Sequence, residues 1–341
     1  LGTTETVTLG TTLTDVNKAF LVFSGGGAAG ARPGRDCWRG EITNTTTLTF
    51  TRINTTSCSA IEWAVVEFSA GVTVQHGQVI VPTSGDTHRP LGFGAALTAD
   101  TVESGFYIMS QSANDSIWRG YNVRGRYADQ DNIEFACSED DGTHVIEYQV
   151  VVYDDTSEGR NIPGEFKHVA SSVTDGTATI RDTVDTSKTI LIGSAAIHTA
   201  DSGTGTAVDA IDALWRFTLD DSTTVGFHRG DGQATTMAAY LGWQLFEFLD
   251  GATVQEFSIS LSTTQTSNTA TITAVTLANS FIIPGTMQGW GECSDTRASD
   301  LSQGFCGLAL TDTTTVTATR DAHDSTSCTI TGYVVDMTGS S

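Results

Sequence analysis

Apolar and polar residues alternate with a period of two along much of the chain, and one pattern of alternation returns four times. It is clearest in the last strand of each return: IEWAVVEF at 61–68, IEYQVVVY at 146–153, LGWQLFEF at 241–248 and ITGYVVDM at 330–337, beginning 85, 95 and 89 residues apart. Ile61, Trp63 and Val65 fall on one side of such a strand, as do Ile146, Tyr148 and Val150, and this side is predicted to face a core. The other side also ends apolar, in Val66 with Phe68 and Phe246 with Phe248, so another unit or another subunit is expected to cover it.

Two further elements recur in the same order. An apolar strand behind a turn reads TDVNKAFLVFS at 14–24 and VDTSKTILIGS at 184–194, with looser copies ESGFYIMS at 103–110 and ANSFIIPG at 278–285. Asp15 and Asp185 stand where an Asx turn needs its acceptor. The other element aligns without a gap: WRGEITNTTTLTFTR (38–52), VRGRYADQDNIEFAC (123–137), WRFTLDDSTTVGFHR (215–229) and CGLALTDTTTVTATR (306–320). Polar turn formers at the centre of each predict a hairpin. Helix is limited to a turn or two at VDAIDALW, 208–215.

The predicted fold is all-β: four tandem antiparallel β-sandwich units at 1–78, 79–160, 161–258 and 259–341, arranged as a doubled pair with 156–165 as the linker. The first unit opens with only LGTTETVTL, whereas VQHGQVIV and VQEFSISL supply longer strands elsewhere. A neighbouring subunit is therefore expected to complete or extend that edge by strand addition, and deletion of 1–9 to abolish polymers.

Charge narrows the partners. Acids outnumber bases 40 to 17 and the net charge is -23, which repels phosphate backbones and anionic lipid surfaces and argues against nucleic-acid and membrane partners. No apolar run reaches the length of a membrane span, and LGTTETVTLG is not a leader, so an exported chain has lost its signal peptide.

Cys37 with Cys58 and Cys306 with Cys328 flank two of the hairpins at separations of 21 and 22 residues, and they are the preferred disulfides. Cys293 competes for Cys306. Cys137, which stands at the position of Arg52 in its unit, pairs with Cys293, bonds between subunits or stays a buried thiol. Disulfides place the protein outside the cell or on its surface. Asn44, Asn54 and Asn114 match the glycosylation pattern.

No nucleophile, base and acid recur together, and the expectation is a protein without enzymatic activity or cofactor. Glu67 has counterparts in Glu247 and Asp336, which favours a repeated scaffold role over catalysis; Arg52, Arg229 and Arg320 recur with it, although hairpin geometry holds Arg52 away from Glu67. The glycine-rich run SGGGAAGARPGR at 24–35 lacks the GK[ST] of a phosphate loop and reads as a contact loop. The acidic turns DQDN (129–132) and SEDDG (138–142) offer oxygens to Ca²⁺ without EF-hand spacing. Trp38 with Arg39 and Trp215 with Arg216 either stack on sugars or belong to the core. Thr4, Val7, Gly26, Arg32, Phe68, Phe248 and Trp290 are the expected assembly or ligand contacts.

The hairpin at 38–52 followed by the IxWxVV strand at 61–66, with their copies, resembles the H-type lectin domain. That resemblance implies a six-stranded antiparallel sandwich that trimerises and binds sugars of the N-acetylgalactosamine type. In style the chain also resembles Thr-rich subunits of extracellular appendages and surface layers. The reading is a self-assembling exported structural protein; the alternatives are a glycan-binding adhesin and a virion tail or decoration protein.

Overall fold

The computed structural model describes residues 3–25, 37–53, 60–81, 88–92, 101–113, 123–129, 132–136, 144–162, 164, 167–170, 172–198, 214–230, 238–294, 304–320 and 326–340. It is all-β, and the ladders between described strands are antiparallel, with one isolated parallel bridge at Gly193 and Thr286.

The first stretch of chain supplies β1 (Thr4–Thr8), β2 (Ala19–Gly25), β3 (Arg39–Asn44), β4 (Thr47–Thr51) and β5 (Ile61–Glu67). The second gives β6 (Val72–Val81), β7 (His88–Gly92), β8 (Gly105–Ala113), β9 (Arg124–Asp129), β10 (Asn132–Ala136) and β11 (His144–Tyr153). A one-turn helix, α1 (Thr101–Ser104), leads into β8. The third gives β12 (Gly159–Ile162), β13 (Lys167–Val169), β14 (Asp175–Thr179), β15 (Thr189–His198), β16 (Trp215–Asp221), β17 (Thr224–Arg229) and β18 (Ala238–Phe248). The fourth gives β19 (Thr253–Leu261), β20 (Ser267–Thr271), β21 (Ser280–Pro284), β22 (Glu292–Ser294), β23 (Gly307–Asp312), β24 (Thr315–Thr319) and β25 (Ser327–Asp336).

The predicted hairpins are β3–β4, β9–β10, β16–β17 and β23–β24. Their turns have a local cause. Asn44, Asp221 and Asp312 each accept the N–H and hydroxyl of the threonine two residues on, an Asx turn, and the pairing register slips at the same place in all three hairpins. Asp15 and Asp185 form the predicted turns before β2 and β15, accepting the N–H of Asn17 and Ser187 at 2.9 Å.

In the later three stretches the first strand pairs with the last, giving sheets β6-β11-β8, β12/β13-β18-β15 and β19-β25-β21, with sheets β7-β10-β9, β14-β17-β16 and β20-β24-β23 alongside. The first stretch departs from this order. Its sheets are β1-β4-β3 and the two-stranded β2-β5. By its pairing, β1 is the counterpart of β7, β14 and β20, and no described strand takes the place of β6, β12 or β19 beside β5.

These pairings correct several expectations. The boundary at 78/79 cuts β6, which pairs with β11 along its whole length, and the boundary at 258/259 cuts β19. The expected linker contains β12, paired to β18. Residues 4–8 are engaged with β4 inside the chain, so Thr4 and Val7 do not form a free arm. The contacts also fail to separate two halves. Gly40 N–H donates to Ser110 Oγ (3.1 Å), Gly125 N–H to Ser194 Oγ (3.2 Å), Thr331 Oγ1 to the Phe217 carbonyl (2.8 Å) and Leu308 N–H to Ser24 Oγ (2.8 Å). The four stretches therefore touch in a closed cycle, the fourth returning to the first.

The outward apolar side of each last strand is covered at the centre of that cycle. Phe20 lies 5.9 Å from Phe106 and 5.6 Å from Phe281, ring centre to ring centre, and Phe106 lies 4.9 Å from Phe246. A second core fills the space between β2-β5 and β1-β4-β3, built on Leu21, Phe23, Trp38, Leu48 and Phe50. Where the first and fourth stretches meet, Gly25 has φ +88° and a Cβ there would stand 2.6 Å from the Ala60 carbonyl oxygen, so only glycine fits.

Candidate functional site

The recurring acid is a scaffold group. Glu67 Oε1 accepts the N–H of Thr14 (2.5 Å) and Asp15 (2.9 Å), Glu247 Oε1 accepts that of Asp185 (2.8 Å), and Asp336 Oδ2 that of Thr276 (3.2 Å). Each thereby ties the end of a last strand to the turn that launches β2, β15 or β21. The recurring arginine is elsewhere. Arg52 and Arg229 are buried with the guanidinium carbon 4.6 Å and 4.9 Å from the ring centres of Trp38 and Trp215, while Arg320 donates to the carbonyls of Ser262, Gln265 and Thr326. Both tryptophans are 1% exposed, which places them in the core and away from any sugar.

The fourth stretch has Cys306 where two others have this tryptophan. Cys306 and Cys328, the expected bridge, are free thiols whose side chains hydrogen-bond each other, and Cys293 lies opposite Cys328 in the β22–β25 register. Hydrogen bonding to Cys328, with burial, pushes the Cys293 and Cys306 thiols above the usual range. Cys37 is buried; Cys58 and Cys137 lie outside the described residues, as do Asn54, Asn114, Gly26, Arg32 and the acidic turn at 138–142. Asn44 is exposed, with its Oδ1 committed to the Asx turn. Phe248 and Trp290, expected as contacts, are 1% and 2% exposed and belong to the interior. Phe68 is half-buried, with its ring 6.0 Å from that of Phe20 and 5.9 Å from that of Tyr153. Among the described residues there is no group of three or more His, Cys, Asp or Glu side chains that could hold a metal, and no helix long and apolar enough to cross a membrane.

One carboxyl has a pKa near neutrality. Desolvation, helped by Asp220, pushes Glu256 up to about 7. It neighbours Tyr333 and the Leu219 main chain, with no described nucleophile among these groups.

Among the described residues, the irregular feature is the side of β5 that no described strand pairs. Phe68 N–H donates to the Lys18 carbonyl (2.9 Å), so alternation turns the main-chain groups of Ile61, Trp63, Val65 and Glu67 away from β2, toward the open edge. Trp63 is 40% exposed there; its counterpart Trp243, in a strand flanked on both sides, is 3% exposed. Two hollows of about 440 and 310 Å³ run along this edge and share Ala64, Ser280 and Phe281. Their far wall is the turn Leu277–Asn279 with β21, and Leu277 is 45% exposed. A separate cavity of about 30 Å³ where the four stretches meet is lined by Val22, Ile108, Ile192, Ile283 and Met287; it is apolar and has room for about one water.

Sequence reasoning placed the edge open to strand addition at residues 1–9, whereas the edge that no described strand pairs is that of β5. The usable signal was the pairing order: TETVT resembles DGTAT and SNTAT, the second strands of the later stretches, more than their first strands. No family model matches the chain, and no curated protein matches it.

Proposed function

We propose that this chain is a non-enzymatic structural subunit, four copies of one antiparallel sandwich, that is exported and assembles with itself into an extracellular filament, tube or surface layer. The observation that carries this reading is the edge of β5, whose outward main-chain groups no described strand pairs, with a large exposed tryptophan beside a hollow. An edge of that kind associates with another strand unless something blocks it. The recurring acids and arginines give further support, because the scaffold engages them in turn ties and buried stacks. A net charge of -23 suits a surface that meets its neighbours at chosen points and repels them elsewhere.

Electron microscopy and light scattering of purified native material test the reading. Polymers with this chain as the repeating mass are expected. A monomer at every concentration and salt condition, with turnover of any substrate, overturns it.

A further inference from the structure

We infer that the hollow beside β5 is the seat of a separate polypeptide strand, which lies antiparallel to β5 and carries an arginine or lysine opposite Glu67. The inference rests on the same edge as the assembly reading but narrows the partner to an extended segment of defined chemistry.

The molecule contains three filled versions of this seat. β6, β12/β13 and β19 each run antiparallel to the last strand of their stretch, and each also packs on the turn leading into an inner strand of the preceding stretch. A ring nitrogen of His76 on β6 meets the Val16 carbonyl at 2.9 Å, β12 packs on α1, and Val254 N–H of β19 donates to the Ser187 carbonyl at 2.7 Å. The fourth turn of this set is Leu277–Asn279. It lines the hollow beside β5, so the cycle reserves there a place that no described strand occupies.

Charge defines the occupant. In the third stretch Arg160, opposite Glu247, donates through Nε (3.0 Å) and Nη2 (2.5 Å) to Glu247 Oε2, leaving Oε1 for the turn. Glu67 uses Oε1 in the same way, and its Oε2 has no partner among the described residues. Glu158 and Asp250 line the same end of the hollow. A strand arriving antiparallel brings its first residues to this acidic end, and a cation there supplies the missing pair. The remaining main-chain groups of Ile61, Trp63 and Val65 bind its backbone, and its alternate apolar side chains cover the core above Ile61 and Val65.

The probe is a nine-residue peptide with the sequence of Thr253–Leu261, TVQEFSISL, whose first residue opposes the acid position, together with its Thr253→Arg and Thr253→Glu forms. Hydrogen exchange is followed in the full chain, on material shown by light scattering to be monomeric, with β25 amides as the folding control. At peptide ten times its Kd, the Ile61, Trp63, Val65 and Glu67 amides are expected to exchange about tenfold more slowly, with the Arg form binding tightest and the Glu form weakest. In Glu67→Lys the order of the Arg and Glu forms reverses. Two results overturn the inference: no slowing with any peptide, or these amides already as slow as those of β25 in the isolated chain. Polymers in which the β5 amides stay fast sink this inference and leave the assembly reading standing. Peptide protection in a chain that never polymerises does the reverse.

Discussion

Gln149 on β11 holds the main chain of Leu21 on β2 with both ends of its amide: Nε2 donates to the Leu21 carbonyl at 2.8 Å and Oε1 accepts the Leu21 N–H at 2.7 Å. The next boundary repeats the device, with Gln244 on β18 clamping Tyr107 on β8 at 2.6 and 3.0 Å. Each clamp satisfies main-chain groups on the strand edge of one stretch as the next stretch buries it. Ala64 stands at the equivalent position of β5, too short to reach, at the boundary where the hollow lies.

Replacing Gln244 by Leu removes two hydrogen bonds and strands the buried N–H and carbonyl of Tyr107. The expected loss is about 2–4 kcal/mol. Urea denaturation measures it; a loss below about 1 kcal/mol would mean that water or a shifted strand takes over the amide's role.

The two glutamates that tie turns differ in load. Glu247 is 5% exposed and binds Arg160 as well as the Asp185 N–H, whereas Glu67 is exposed and, among the described residues, binds the turn alone. Glu247→Ala is therefore expected to cost about 2–4 kcal/mol and Glu67→Ala about 1 kcal/mol. Thermal unfolding of the two variants gives the comparison, and equal losses would contradict it.

Arg229 shares its buried site with the face of Trp215. Only a planar guanidinium lies flat on the ring, so Arg229→Lys should recover little of the loss seen in Arg229→Ala, about 3 kcal/mol. Near wild-type stability in the lysine variant, read from its denaturation midpoint, would refute the stacking role.

His144 at the start of β11 is fully buried, and neither ring nitrogen has a hydrogen-bond partner among the described residues. Burial holds its pKa down to about 4, against 6.5 for the free side chain. Between those values the unfolded chain binds a proton that the folded chain does not. Stability therefore falls as pH drops from about 6.5 toward 4, by up to about 1.4 kcal/mol per pH unit. In His144→Phe this part of the slope should vanish; denaturation midpoints at pH 7, 6 and 5 for both proteins decide it.

Local chemistry was legible from the residues alone. The Asx acceptors Asn44, Asp221 and Asp312 act within two residues, so the hairpins followed from sequence, as did the turns at Asp15 and Asp185. The scaffold role of Glu67 was legible from recurrence, but its partners, the N–H groups of Thr14 and Asp15, lie more than fifty residues back in the chain and carry no side-chain signal. The cysteines were legible in part for a related reason. Equal spacing brought Cys306 together with Cys328, and their side chains do meet, whereas Cys293 comes opposite Cys328 through a strand pairing that spacing does not encode.

By itself the sequence determined an antiparallel β protein with four recurring hairpins, because alternation, turn acceptors and repetition are written in neighbouring residues. Tertiary structure alone decided that the four stretches close into a cycle and that no described strand pairs with the second edge of β5. Those facts depend on which strand edges meet, and main-chain hydrogen bonds between edges are available to nearly every residue type, so they leave almost no mark on composition or spacing.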